Sequence, residues 1–167
     1  MKRLFLSLFI ASASIMVADA QEKPKSPAQS TSATIDGVNV TITYNAPSVR
    51  GREIWGKLVP FNEVWRTGAN EATTISFDKD VMIEGQALPS GSYALFTIPG
   101  EDEWTYIFNS EPKQWGAYKY DQSKDALRVK ATPKTRAMQE QMAFVIEDNK
   151  VMLHWEKLGV HFSVKGM

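Results

Sequence analysis

The chain contains no cysteine, only two histidines, and no net charge, because 19 basic and 19 acidic residues balance. Without cysteine there are no disulfides and no thiolate chemistry, so packing alone must stabilise the fold. The balanced charge gives no sign of the basic surface that nucleic acids require, and we expect no nucleic-acid partner. Motifs for a nucleophile elbow, a zinc protease, a phosphate loop and a calcium loop are also missing. We therefore assign no catalytic residue, no metal and no cofactor.

Long apolar runs are missing too, apart from one at the N-terminus. Residues 4–17 are mostly apolar, follow two basic residues, and precede Ala18-Asp19-Ala20. This pattern is typical of an export signal, so we predict a signal peptide at residues 1–20. The run is too short and too rich in alanine and serine to span a membrane. We expect an exported protein, periplasmic or extracellular, that is not an integral membrane protein.

Residues 21–32 are polar and carry no apolar period, which predicts a flexible tether before one domain at 33–167. That domain alternates apolar and polar residues with period two, as strands do. Asp36-Gly37 is a strong hairpin turn signal. The predicted strands are 38–44, 73–77, 81–83, 93–98, 104–108, 127–131, 143–147, 151–156 and 160–165. About nine such strands predict an all-β fold, an antiparallel β-sandwich or jelly roll.

Two segments, Arg52–Val59 and Pro133–Gln141, have sequences that allow short helices in long loops. The last two predicted strands, 151–156 and 160–165, fit a hairpin centred on Lys157-Leu158. In that register every cross-strand pair that faces the core is apolar.

The same register places His154 opposite His161, with Glu156 two residues along. Two imidazoles and a carboxylate are a ligand set for zinc or iron, but such residues are also ordinary on the polar face of a strand. We assign no metal here.

A polar loop candidate lies at residues 64–73, where Trp65, Arg66, Asn70 and Glu71 surround a glycine. Arg66 could bind a carboxylate through its planar fork, Asn70 and Glu71 could hydrogen-bond hydroxyls, and Trp65 could supply an apolar platform. The alternative is structural, with Arg66 and Glu71 pairing to hold a long crossover in place.

Arg50 and Arg52 add two guanidinium groups just upstream, so that residues 45–72 form a loop without a predicted strand. Loops of this length are uncommon unless they are functional or disordered. This one is too apolar for disorder. It either carries a site or covers an edge of the sheet.

A second aromatic segment spans residues 108–121, where Trp115 and Tyr118 stand beside amides and acids. Flat aromatic faces with hydrogen-bonding neighbours suit carbohydrate binding, although such residues also form core caps and protein interfaces. Trp115 and Tyr118 complete the candidate ligand-binding set.

Several motifs together resemble the bacterial exported family called domain of unknown function 2911. They are Arg50-Gly51-Arg52-Glu53-Ile54-Trp55-Gly56, Leu58-Val59-Pro60-Phe61, Val64-Trp65-Arg66-Thr67-Gly68-Ala69-Asn70-Glu71-Ala72-Thr73, Leu95-Phe96-Thr97-Ile98-Pro99-Gly100 and Gln114-Trp115-Gly116-Ala117. The resemblance extends over essentially all of residues 21–167 and implies a secreted, mainly-β domain. It implies no activity, substrate or catalytic residue, and the two histidines are not part of the pattern.

The leading hypothesis is therefore a non-catalytic exported module that binds a polar ligand such as a glycan or a cell-envelope fragment. One alternative is a saccharide hydrolase in which Glu71 works with a second carboxylate. The other is a protein-interaction or structural envelope domain. The oligomeric state stays open.

Overall fold

The computed structural model describes residues 25–167, so the predicted signal peptide at 1–20 and the first residues of the predicted tether lie outside the described residues. The ten strands are β1 (Ala28–Ile35), β2 (Val38–Asn45), β3 (Thr74–Phe77), β4 (Val81–Ile83), β5 (Gln86–Leu88), β6 (Gly91–Ile98), β7 (Trp104–Asn109), β8 (Asp125–Ala131), β9 (Lys134–Glu147) and β10 (Lys150–Gly166). One sheet has the order β1-β2-β3-β6-β7-β8 and the other β5-β4-β10-β9, with antiparallel pairing. This confirms the predicted antiparallel, sandwich-like all-β fold. None of the helical structure in residues 25–167 has the length and apolar character to cross a membrane.

The hairpin predicted at Asp36-Gly37 is confirmed, since Ile35 pairs with Val38 and both turn residues have positive φ (48° and 75°). The strand before it was missed. β1 begins at Ala28, so residues 28–32 form a strand and the tether prediction is wrong there. Its side chains lie at a sheet edge and are mostly exposed, and an exposed edge strand carries no apolar alternation to find.

The predicted C-terminal hairpin is wrong, because β10 continues through Lys157-Leu158 as one strand of 17 residues. Buried positions change from odd numbers (Trp155) to even numbers (Val160) along it. Glu156 has φ +54°, and the register with β9 shifts on both sides of it. A bulge moves the apolar residues from odd to even positions, as the turn of a hairpin also would. The apolar pattern alone therefore could not distinguish one bulged strand from a hairpin of two strands.

Neither predicted helix forms. Pro133–Gln141 lies largely in β9, whose pairing with β10 overrides the helix propensity of its residues. Residues 52–59 form turns with a single bridge between Trp55 and Val59. The chain turns at Gly56 (φ +79°), where a Cβ would lie 2.9 Å from the Phe61 ring. One short helical turn occurs elsewhere, at Gln122–Lys124.

Both faces of the six-stranded sheet are covered. Its inner face packs on the four-stranded sheet, with Leu95 and Phe108 among the buried residues. On its outer face Phe96 and Ile107 are also fully buried, because loop residues such as Val64 and Tyr120 pack over them. Parts of two long loops therefore cover this outer face, while Ile54 and Trp55 of the first loop pack into the core between the sheets. These two loops carry the candidate site residues.

Two buried hydrogen bonds join the two sheets directly within residues 25–167, and the shorter one involves Tyr106. The Tyr106 hydroxyl on β7 donates to the Val160 carbonyl on β10 at 2.9 Å, and burial raises the pKa of this hydroxyl. We predict that Tyr106→Phe lowers the free energy of unfolding by about 1–2 kcal/mol, because the Val160 carbonyl loses its donor. Urea unfolding measures this, with the exposed Tyr118→Phe as the matched control. Equal stability of the two variants would contradict the assignment.

Candidate functional site

Residues 46–73, here called the arginine loop, connect β2 to β3 and are tied to the sandwich by backbone hydrogen bonds. The Trp65 amide donates to the Thr97 carbonyl at 2.7 Å and the Thr97 amide returns a bond of 3.0 Å. The Ala69 amide donates to Asn45 at 3.0 Å. The loop therefore pairs with β6 although it contains no strand of its own.

Three fully buried threonines complete this attachment. The Thr67 and Thr97 hydroxyls lie 3.1 Å apart, and the Thr73 hydroxyl donates to the Thr67 carbonyl at 2.7 Å. Gly68 sits between them, where a Cβ would be 3.0 Å from the Asn45 carbonyl oxygen. Buried hydroxyls that are hydrogen-bonded in this way hold a backbone in one conformation.

Four tryptophans pack together, two from the arginine loop and two from the strands beneath it. Trp55 from the loop lies with its ring centroid 5.0 Å from Trp104 of β7 and 5.7 Å from Trp155 of β10, both edge to face. Trp65 stacks on Trp155 at 6.0 Å with an interplanar angle of 17°. This tryptophan cluster joins the arginine loop to both sheets.

A cavity of about 450 Å³, here called the arginine pocket, opens between this loop and the cluster. Trp65 and Trp155 supply part of its apolar wall. Its cationic lining side chains are Lys25, Arg50, Arg52 and Arg66, and its acidic one is Glu63. The pocket thus combines an aromatic wall with an excess of positive charge.

The arginines of the pocket are not neutralised by carboxylates. Arg50 donates through Nη2 to the Lys25 carbonyl at 2.9 Å, and Arg52 donates to the carbonyls of Val49 and Ser48. Over residues 25–167, none of the ion pairs involves a cation of the pocket. Arg66 has a buried Nε without a hydrogen-bond partner in the same range. These groups are positioned as donors with remaining capacity for an acceptor.

The structure does not pair Arg66 with Glu71, which was the structural alternative for these residues. Asn70 and Glu71 are exposed, and neither lines the arginine pocket. Instead, the backbone of Glu71 forms an isolated antiparallel β-bridge with the backbone of Trp115, and the Gly116 amide donates to the Asn70 carbonyl at 3.0 Å. The two predicted loop segments therefore meet, at the end of the arginine loop beyond the pocket.

The second segment, residues 110–121, is here called the aromatic loop and is anchored by the buried Asn109. This amide donates to the Asp121 carbonyl (3.0 Å) and to the Asp125 carboxylate (2.9 Å), and its oxygen accepts from Gln114 (3.0 Å). Sequence reasoning did not identify Asn109 as an anchor, since nothing in its neighbourhood marks it as buried.

A second anchor closes the same loop. The Tyr120 hydroxyl donates to Asp125 and accepts from Arg128, at 2.6 Å each, and Arg128 Nε bonds the same carboxylate at 2.7 Å. Burial, followed by the hydrogen bond to Asp125, raises the pKa of Tyr120 to about 12. Between these anchors, Trp115 and Tyr118 project with 64% and 85% of their surface exposed. They form an aromatic ledge and not a core cap.

The histidines do not meet as the predicted hairpin required. His154 and His161 lie seven residues apart on the continuous β10, and His154 Nε2 lies 3.0 Å from the Ala137 carbonyl. No group of three histidine, cysteine, aspartate or glutamate residues within the described range could hold a metal ion.

Four predicted site residues, Arg50, Arg52, Trp65 and Arg66, thus share one pocket. Trp115 and Tyr118 form the ledge beside Asn70 and Glu71. The sequence analysis missed Lys25 and Trp155 as pocket residues. Lys25 belonged to an apparent tether, and Trp155 to an apparent hairpin, so neither local pattern pointed to a site.

Comparison with protein families identifies the chain. The family model described as "Protein of unknown function (DUF2911)" matches residues 26–164. The chain therefore belongs to this family, which confirms the resemblance found in its motifs. No curated protein and no solved structure matches the chain.

We predict that Arg66→Met leaves the free energy of unfolding unchanged or raises it by up to about 1 kcal/mol, since the change removes a buried donor without a partner. The matched control is Arg128→Met, which strips the Asp125 carboxylate (7% exposed) of its ion pair. That control should lose about 2 kcal/mol. Denaturant unfolding compares the two variants. A larger loss for Arg66→Met than for Arg128→Met would mean that Arg66 is a structural residue.

Proposed function

We propose that this protein is an exported, non-catalytic binding module whose arginine pocket holds the acidic group of a polar ligand, such as an acidic glycan or another cell-envelope fragment. The observation that carries the proposal is the set of pocket cations that form no ion pair within residues 25–167, among which Arg66 has a buried Nε without a partner in that range. Planar guanidinium groups bind carboxylates and phosphates through paired, charge-assisted hydrogen bonds.

The rigidity of the arginine loop supports a binding role. The threonine bonds and the tryptophan cluster fix the backbone that carries Arg52 and Arg66. A ligand that meets such a surface does not have to order the loop, and less of its binding free energy is lost. The half-buried Trp65 provides an apolar wall against which the non-polar face of a sugar ring packs.

The aromatic ledge extends this surface. Ala69 lines the arginine pocket, and the next residue, Asn70, accepts a hydrogen bond from Gly116 in the aromatic loop. In the sequence Trp115 directly precedes that glycine and Tyr118 follows it two residues later, and both rings are exposed. A ligand longer than one sugar unit would therefore place its acidic group in the pocket and stack a neighbouring unit on the ledge.

A saccharide hydrolase is less well supported by the same geometry. Glycoside cleavage needs two carboxyl groups about 5–10 Å apart across a cleft. Glu71 borders a shallow depression formed with β1 and β2, and the other side chains that line it carry no carboxylate. The arginine pocket contains one carboxylate, Glu63, among four cations. This arrangement favours binding over acid–base catalysis.

We predict that the purified protein is retained on immobilised polygalacturonate, an acidic polysaccharide, more strongly than on neutral dextran. Added salt should weaken this retention because it screens the charges. Arg66→Met should lower the affinity about tenfold or more, through loss of a charge-assisted contact of about 1.4 kcal/mol. Lys165→Met is the charge-matched control, since Lys165 is exposed and outside the pocket.

Equal binding by wild type and Arg66→Met would contradict the proposal. Retention on polygalacturonate that depends on Trp115 and Tyr118 but not on Arg66 would place glycan binding on the aromatic ledge instead of in the arginine pocket. Release of reducing ends that Glu71→Gln abolishes would favour the hydrolase.

A further inference from the structure

A second cavity, of about 300 Å³, lies on the outer face of the four-stranded sheet, away from both loops. Four basic side chains line it, namely Lys134 and Arg136 from β9 and Lys150 and His161 from β10. Val145 and Met152, which face one another across the β9–β10 pair, form its apolar floor. We call it the His161 cavity.

A glycine beside the cavity allows one of its cations to approach the sheet closely. A Cβ at Gly159 would lie 2.9 Å from Arg136 Cγ and 3.1 Å from Met152 Sδ, closer than these atoms normally approach. Because Gly159 has no side chain, Arg136 lies directly over the backbone of β10 beside Met152. Arg136 is thereby held against Met152, which lines the same cavity.

The cavity is lined by acids as well as cations, but no ion pair joins them within the described residues. Over residues 25–167, neither Lys134, Arg136 nor Lys150 takes part in an ion pair, although Glu147 and Asp148 also line the cavity.

The other side of His161 faces both signs of charge. His161 and Lys134 also line an adjacent cavity with Glu84, Glu103 and Lys130, and the last two form an ion pair. Glu84, in the turn between β4 and β5, accepts a hydrogen bond from the Ser163 amide at 2.5 Å. Burial, then the positive charges of Lys150 and Lys134, lowers the pKa of His161, with a smaller contribution from Arg136 and an opposing one from Glu84.

We propose that the His161 cavity binds a compact tetrahedral oxyanion, phosphate or sulfate, either free or as the ester group of a larger molecule. The anion meets the two lysines and the Arg136 guanidinium inside this cavity. Guanidinium and ammonium groups around one cavity are the donors that phosphate and sulfate oxygens require. This site is independent of the arginine pocket, because the two share no residue.

Anion binding and the protonation of His161 must be linked. The surrounding cations disfavour the imidazolium, whereas a bound anion favours it. The pKa of His161 should therefore rise when the anion binds. Because the two equilibria are linked, the anion should also bind more tightly as the pH falls through the pKa of His161. The chain offers a clean readout, since its one other histidine, His154, lies outside the cavity.

The test is an NMR titration of the two histidine side chains in sodium sulfate and in sodium chloride at the same ionic strength. We expect sulfate to raise the pKa of His161 by about one unit, which corresponds to about tenfold tighter binding at low pH, and to leave His154 unchanged. Arg136→Gln combined with Lys150→Gln should abolish the shift. Lys157→Gln combined with Lys165→Gln, which removes two positive charges from β10 outside the cavity, should retain it.

An identical pKa of His161 in sulfate and chloride would overturn the proposal. A sulfate shift that persists in the variant with Arg136→Gln and Lys150→Gln would also overturn it, because it would report an adventitious ion only. Inorganic phosphate and phenyl phosphate distinguish the sources. Tighter binding of the ester identifies a phosphorylated or sulfated molecule as the ligand, and equal or weaker binding identifies the free anion.

Discussion

The packing of Trp55 against Trp65, Trp104 and Trp155 is the interaction on which the candidate site depends. Edge-to-face aromatic pairs contribute about 0.5–1.5 kcal/mol each beyond the area they bury. Two of these rings belong to the arginine loop, one to β7 and one to β10. The cluster therefore fastens a loop of nearly thirty residues to both sheets at once. Without it, the loop would retain its pairing with β6 at Thr97, but the segment around Trp55 would lose its principal attachment to the sandwich.

The distribution of charge follows from the same arrangement. The chain as a whole is neutral, yet the arginine pocket and the His161 cavity each gather cations that form no ion pair within the described range. In the pocket, Arg50 and Arg52 are held by backbone carbonyls, which fix their direction but leave their charge intact. In the cavity, the absence of a side chain at Gly159 brings Arg136 close to Met152. A neutral composition thus conceals two local positive fields.

The fold was largely predictable because alternating burial produces alternating sequence. Strands such as β2, β3 and β4 follow this rule and were found. β6 and β7 are buried on both faces, and their apolar runs lie between turn residues. The alternation misled at two places: β1 lies at an exposed edge, and β10 shifts its alternation at Glu156, so one strand looked like two. The residue types of the site were predictable from their chemistry, and Arg50, Arg52, Trp65 and Arg66 do share a pocket. Their partners Lys25 and Trp155 come from distant parts of the chain, and no local pattern connects them to the loop.

The candidate site depends on a rigid arginine loop, and native-state amide hydrogen exchange measures that rigidity directly. The amides to follow are those of Gly56 and Val59, which donate to the carbonyls of Val59 and Ile54 at 2.9 Å beside Trp55. If the tryptophan cluster fastens the loop, these amides should be protected to within about a hundredfold of the β6 amides, a difference of about 3 kcal/mol in opening free energy. Exchange of Gly56 and Val59 at the rate of an unstructured peptide, with β6 still protected, would contradict the account.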